Sequence, residues 1–142
     1  MTGRAAEIRP ATSDDVESVL AVWAEARSAA AQTADDPALV EQLLERDPGA
    51  LLVAEASGQV VGVLIAGWDG WRGNVYRLAV LPAYRRQGIA RQLVEAGHDR
   101  LRAEGAHRVT ALVGGEEGAA HGLWRAVGYQ RDEFVHRFVR NL

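Results

Sequence analysis

The chain contains no cysteine, which excludes a disulfide framework, a thiolate metal site and a cysteine nucleophile, and agrees with a reducing compartment. No apolar run approaches the roughly 18 residues of a membrane span. The first ten residues, MTGRAAEIRP, lack the apolar core of a secretion signal, so the expectation is a cytoplasmic protein without a membrane partner. Charge of one sign is also missing in bulk. A net charge of −3 provides no global basic field for nucleic acid, and positive charge is concentrated locally instead. Internal repeats and linkers are absent, and 142 residues suit one domain, 1–142, because two halves would each be marginal.

What remains is an ordinary globular composition, 48% apolar and 25% charged. Residues 7–9 predict a first strand, and Thr12, Ser13, Asp14 and Asp15 supply caps for a helix that buries Val16, Val19, Leu20 and Trp23. Asp36 and Pro37 open a second helix with Val40, Leu43 and Leu44 on its stripe, ended by Asp47, Pro48 and Gly49. The Ala-rich stretch 29–34 between these helices reads as a mobile loop or as a helix end. Residues 51–56 and 60–68 predict a hairpin across Ser57 and Gly58, and 75–81 a central strand apolar on both faces apart from Tyr76 and Arg77. Ile89, Leu93, Gly97 and Leu101 mark a long helix that Gly105 ends. Residues 109–113 predict a strand parallel to its predecessor if the crossover is right-handed. A short helix from near Glu117 to Gly128 and a closing strand over 134–139 complete the expectation.

The segment VYRLAVLPAYRRQGIARQL, residues 75–93, carries the chemistry. A strand passes through a proline turn into a helix start, where main-chain N–H groups lack intrahelical partners and the helix dipole is positive. Gly88 keeps a side chain out of the way of a phosphate, Ala90 is small for the same reason, and Arg85, Arg86 and Arg91 add full charges. An anionic ligand of the pyrophosphate kind follows. The alternative is an exposed basic helix start with no ligand.

Arg85, Gly88 and Ala90 match an R/Q-x-x-G-x-G/A pattern, and Ala120, Leu123, Gly128 and Tyr129 match A-x-x-L-Y-x-x-x-G-F/Y. With both motifs in order over nearly the whole chain, the protein resembles the GNAT acyltransferases. The resemblance implies an α/β fold (α+β): a mixed, mostly antiparallel sheet with a parallel, splayed strand pair, flanked by about four helices. It also implies acetyl-CoA as co-substrate, no metal, and acetyl transfer to an amine by direct attack. The cofactor set would be Leu78, Ala79, Val80, Arg85, Arg86, Gln87, Gly88, Ile89, Ala90, Arg91, Ala120 and Trp124. The Val80 main-chain N–H would stabilise the oxyanion.

One departure from the pattern matters for proton transfer. Trp124 stands where relatives often carry a tyrosine, and an indole N–H is no acid near neutral pH. His121 lies one turn earlier on that helix and is the nearest substitute, an imidazole being suited to proton transfer near neutral pH, although a partly exposed helix residue is the favoured reading. Strand 75–81 contains no Asp or Glu, so the base candidates are Asp69 in the GWDGWRG turn and Glu116 or Glu117, each with a competing turn or capping role. A CoA-binding sensor without efficient chemistry is the rival reading. The acceptor, a small-molecule amine or a protein amine, would be set by variable loops such as 29–36 and the final strands. A paired final strand or the exposed tryptophans would suit a homodimer.

Overall fold

The computed structural model describes residues 6–26, 35–113 and 118–142, the side chains of 118–121 excepted. The first strand, β1 (Glu7–Pro10), leads into a capping box at Thr12. There the Thr12 hydroxyl accepts the Asp14 N–H at 3.3 Å, and the Asp15 carboxylate accepts the Thr12 N–H at 2.8 Å. Both Asp15 oxygens also accept from the Arg9 guanidinium, at 2.8 and 3.0 Å, which ties β1 to the start of α1 (Val16–Ala26). Arg9 holds the Asp15 carboxyl below its ordinary range. A depressed carboxyl contributes stability that is complete above its unfolded value and lost as pH falls through the folded one. Asp15→Asn should therefore cost about 1–2 kcal/mol at neutral pH. In paired urea melts, the gap from wild type should close as the buffer passes below the carboxylate range.

A second helix, α2 (Pro37–Arg46), starts on Asp36, whose side chain accepts the Ala38 N–H at 2.9 Å. The hairpin of β2 (Leu51–Ala56) and β3 (Gln59–Trp68) turns on Ser57 and Gly58, with φ of 53° and 77°, the pair of left-handed residues that matches strand twist. Next come β4 (Gly73–Val80), the long helix α3 (Ile89–Glu104), β5 (Val109–Ala111) and α4 (Gly118–Ala126).

The sheet order is β1-β2-β3-β4-β5, antiparallel except for the parallel β4–β5 pair. Gly62, Leu64 and Ala66 face α3, while Val61, Val63 and Ile65 point the opposite way, where α1 packs on β3 and β4. Both faces are covered, and Val61, Val63, Leu64, Leu93 and Leu101 have no exposure. Gly62 sets how closely α3 approaches. A methyl there would lie 3.0 Å from Leu93 Cδ1 and 3.2 Å from Ile89 Cγ2.

Two sequence expectations change. The strand expected over 109–113 is shorter, ending at Ala111. The closing strand expected over 134–139 is not formed, and its Phe134 and Phe138 are 97% and 93% exposed. A strand needs a partner edge, and these residues meet none within the chain described. The 29–34 loop lies outside the described residues.

Candidate active site

The site begins where β4 and β5 part. They pair over only three positions, from Gly73↔Val109 to Val75↔Ala111, while β4 continues to Val80. Beyond that point the far edge of β4 is released from β5. On its other side β4 gains one residue against β3, because Val63 pairs with Ala79 but Ile65 pairs with Tyr76. The result is a β-bulge around Arg77, whose φ is 56°.

That bulge is braced from α1. Trp23 Nε1–H donates to the Arg77 carbonyl at 3.0 Å, and the Arg77 guanidinium lies 4.9 Å from the Trp23 ring centroid while pairing with Asp35. This cluster was not legible in the sequence, where Trp23 reads as core. A charged Arg77 within an apolar strand was the available signal.

Past the bulge the ladder phase identifies which main-chain groups face outward. Leu81 N–H donates to Val61 O at 2.9 Å, so 81 and 61 form a hydrogen-bonded pair, and Ala79 with Val63 is the next such pair. Val80, opposite Gly62, therefore turns its N–H and C=O away from β3, toward the side that β5 has left. Its carbonyl accepts Arg85 Nε–H at 3.2 Å. The Ala79 main chain is committed to β3 by the same alternation.

From Val80 the chain runs through Leu81 and a single 3-10 turn, Pro82–Tyr84, into the loop 85–88. Arg85, Arg86, Gln87 and Gly88 are all exposed. Arg86 and Gly88 adopt left-handed φ values of 63° and 80°, and the first α-helical bond runs from Gln92 N–H to Gly88 O at 3.0 Å. The amides of Ile89, Ala90 and Arg91 thus precede the first helical donor, Gln92, at the positive end of a 16-residue helix. Nothing lies within 4 Å of where a Gly88 Cβ would stand. Ile89 is buried as the helix anchor, Ala90 is half-buried, and Arg91 lies 3.8 Å from Glu95. Left-handed residues ahead of helix-start amides are an arrangement suited to an anion, and the space above Gly88 that a side chain would fill is open. These residues fit a diphosphate.

The other expected residues sit apart from this loop or are only partly described. Trp124 is buried on α4, edge-on to Tyr129 at 5.0 Å between centroids, and Tyr129 OH lies 2.7 Å from His98 Nε2. Burial pushes the Tyr129 hydroxyl up to about 12 and the His98 imidazole down. Ala120 and His121 belong to α4, but their side chains lie outside the description, as do Glu116 and Glu117.

Asp69 does not reach the site. It is in the β3–β4 turn, beyond Gly73, and the seven steps along β4 to Val80 span about 23 Å. Its carboxylate accepts the Arg72 and Trp71 main-chain N–H groups, at 2.6 and 2.7 Å, which holds it below the usual carboxylate range. It is a turn residue, bordering a cavity of about 540 Å3 with Arg46, Asp47, Trp68 and Glu104. Sequence proximity to a tryptophan-rich turn suggested a base, whereas strand length separates it from Val80.

With this geometry in place, similarity to known proteins becomes decisive. Residues 16–129 match the family model described as the acetyltransferase (GNAT) family. The chain belongs to that family. It is 35% identical over 130 residues to Acetyltransferase SG1711 of Sodalis glossinidius, covering 91% of this chain and 90% of that one. Among solved structures, it superposes on Ard1 from Thermoplasma volcanium with a TM-score of 0.76 at 23% identity, over 88% of this chain and 82% of that one. It also superposes on AAC(6')-Iy, in complex with the bisubstrate analog CoA-S-monomethyl-acetylneamine, with a TM-score of 0.77 at 21% identity, over 98% and 100% of the two chains. The expected fold, a mostly antiparallel sheet with a parallel, splayed strand pair flanked by about four helices, is the one observed among the described residues. The expectation of an acetyl-CoA-dependent N-acetyltransferase holds on this membership, and a CoA-binding sensor gains no support from it.

Proposed function

We propose that the loop 85–91 holds the diphosphate of acetyl-CoA, that the arm of the cofactor runs along the released edge of β4 at 78–80, and that an amine attacks the thioester carbonyl beside Val80. The observation that carries this reading is the pair of left-handed residues, Arg86 and Gly88, with open space over Gly88 at the head of α3. Gln87, Ile89, Ala90 and Arg91 contribute main-chain groups to the same cradle. Arg85, bonded to Val80 O, braces the loop against β4, which leaves Arg86 as the charged side chain for the phosphates.

In the reaction a C–N bond forms, the C–S bond breaks, the amine gives up one proton and the CoA thiolate takes one. The Val80 N–H, turned from β3, is the donor proposed for the oxyanion, where a fixed amide dipole needs no rearrangement. Trp124 and Ala120 on α4 are assigned to the wall of the thioester pocket. His121 is the titratable group assigned to protonating the thiolate. Water takes the place of a carboxylate base, since β4 carries no acidic residue.

The acceptor is an amine of a small molecule or of a protein. Support for an amine comes from the AAC(6')-Iy complex, whose ligand joins CoA to acetylneamine, and from the NatC complex bound to Gag peptide and CoA. No metal, nucleic acid or membrane takes part in this reading, and the compartment is the cytoplasm. Among the described residues no helix is long and apolar enough to cross a membrane.

Calorimetry with acetyl-CoA, followed by mass detection of acetylated product from a panel of amines, tests the proposal. Arg86→Glu should weaken acetyl-CoA by about tenfold or more at unchanged melting temperature. Unchanged affinity would remove the phosphates from this loop. His121→Ala should flatten one limb of the pH–rate profile, and an unaltered profile would strip that residue of its role. Tight binding without any acetylated amine would leave a CoA sensor.

A further inference from the structure

The buried face of α1 consists of Val16, Val19, Val22 and Trp23, and of these only Trp23 carries a hydrogen-bond donor into the interior. A phenylalanine or leucine would fill an apolar seat without needing an acceptor. A buried indole N–H does need one. The acceptor it meets, at 3.0 Å, is the carbonyl of Arg77 in the β4 bulge. A bulge leaves its extra residue outside the ladder, so the donor and the carbonyl each satisfy a group that the sheet does not.

Arg77 is held by its side chain as well. Its guanidinium lies 4.9 Å from the centroid of the Trp23 ring and pairs with Asp35, the residue before the Asp36 cap of α2. The φ of 56° at Arg77 is a left-handed value that costs a residue with a side chain about 1–2 kcal/mol. Such a conformation persists where its surroundings over-determine it, and here α1 and the entry to α2 supply the restraint.

The bulge stands at the point where β4 starts to run unsupported. The ladder to β5 ends at Val75, whose carbonyl accepts the Leu112 N–H at 3.2 Å. From there to Val80, β4 has no strand on its outer side among the described residues. Since a bulge bends its strand and adds twist, the direction of this released stretch is set at Arg77. Val80 is three residues further on, about 10 Å along the strand, and over that arm a tilt of about 6° carries its amide through about 1 Å. A displacement of that size at a reacting centre costs up to about a hundredfold in rate.

From this geometry we infer that Trp23 is a positioning residue for acetyl transfer: its indole N–H, held on the Arg77 carbonyl, fixes where the Val80 amide stands. The inference rests on the reading of Val80 as the oxyanion donor, and it adds a residue from the far side of the sheet that touches neither cofactor nor acceptor. The essential contact is to the main chain of Arg77, so the tolerance of position 77 should follow backbone preference more than charge.

Trp23→Phe keeps an aromatic face for Arg77 and deletes the donor. With an amine that the panel shows to be acetylated, its kcat should fall by about ten- to a hundredfold, while calorimetry returns an acetyl-CoA affinity within about threefold of wild type. Val19→Ala, which takes bulk from the same face of α1 without touching a hydrogen bond, should keep the wild-type kcat. Arg77→Gly suits the left-handed φ and Arg77→Val does not, so the glycine variant should lose at least about tenfold less kcat than the valine one. A further measurement needs no acceptor. Amide hydrogen exchange at Ala79 and Leu81, which bond to β3, should quicken in Trp23→Phe by about tenfold or more relative to exchange in the β2–β3 hairpin. Wild-type kcat in Trp23→Phe, an equal loss in Val19→Ala, equal losses in the two Arg77 variants, or an unchanged exchange ratio would each overturn the positioning role while leaving acetyl-CoA binding intact. Failure of the wild type to take up acetyl-CoA is a separate result, and it would remove the cofactor reading and this inference together.

Discussion

Gly88→Val is expected to weaken acetyl-CoA by on the order of a hundredfold while leaving the fold cooperative. Two effects act together. A β-branched residue at the φ of 80° found here is strained by about 1–3 kcal/mol, so the loop relaxes and its amides turn from their common focus. The added atoms also enter the open space above the helix start, where a phosphate must approach. Gly88→Ala separates these effects, since alanine intrudes less and should give an intermediate loss. Initial rates over a range of acetyl-CoA, beside thermal melts, provide the measurement. The loss should appear in the KM for acetyl-CoA far more than in melting temperature. A variant with wild-type KM would remove Gly88 from cofactor binding.

The second large effect concerns the seam between α3 and the sheet. Leu93→Ala should destabilise by about 2–5 kcal/mol, because the side chain has no exposure and its removal leaves a cavity. Gly62→Ala should cost about 1–3 kcal/mol by overpacking, since the new methyl would stand 3.0 Å from Leu93 Cδ1. Combined, the two should cost less than their sum by about 0.5–3 kcal/mol, as the methyl enters the space the leucine leaves. Urea denaturation of the four proteins closes the cycle. Full additivity would mean that α3 does not rest on Gly62 as described. The seam bears on function because Gly62 lies opposite Val80 and α3 begins at the loop proposed to hold the phosphates.

The parts of the fold legible in the sequence are those governed by neighbouring residues. Thr12 with Asp15, Asp36 with Pro37, and Ser57 with Gly58 each decide a cap or turn over two to four positions, and each is realised. The stripe of Ile89, Leu93, Gly97 and Leu101 likewise forms the buried face of α3. The bulge at Arg77 was not legible, because its partner Trp23 lies 54 residues away. Arg85 was counted among phosphate ligands, and only the path of the loop turns its Nε toward Val80 O. Asp69 sits in a turn that any sequence reading would find, yet its distance from Val80 follows from strand length and register.

By itself, then, the sequence determined the run of local elements, the strand-to-helix loop around Gly88, and the family to which they belong. Those depend on backbone preferences and on spacing along the chain, which are written residue by residue. The tertiary structure alone decided which main-chain amides of β4 face outward, how Trp23 braces the bulge, and that residues 134–139 find no edge among the described residues of their own chain. Each of these is a matter of which distant surfaces meet, and that is settled only when the sheet is assembled.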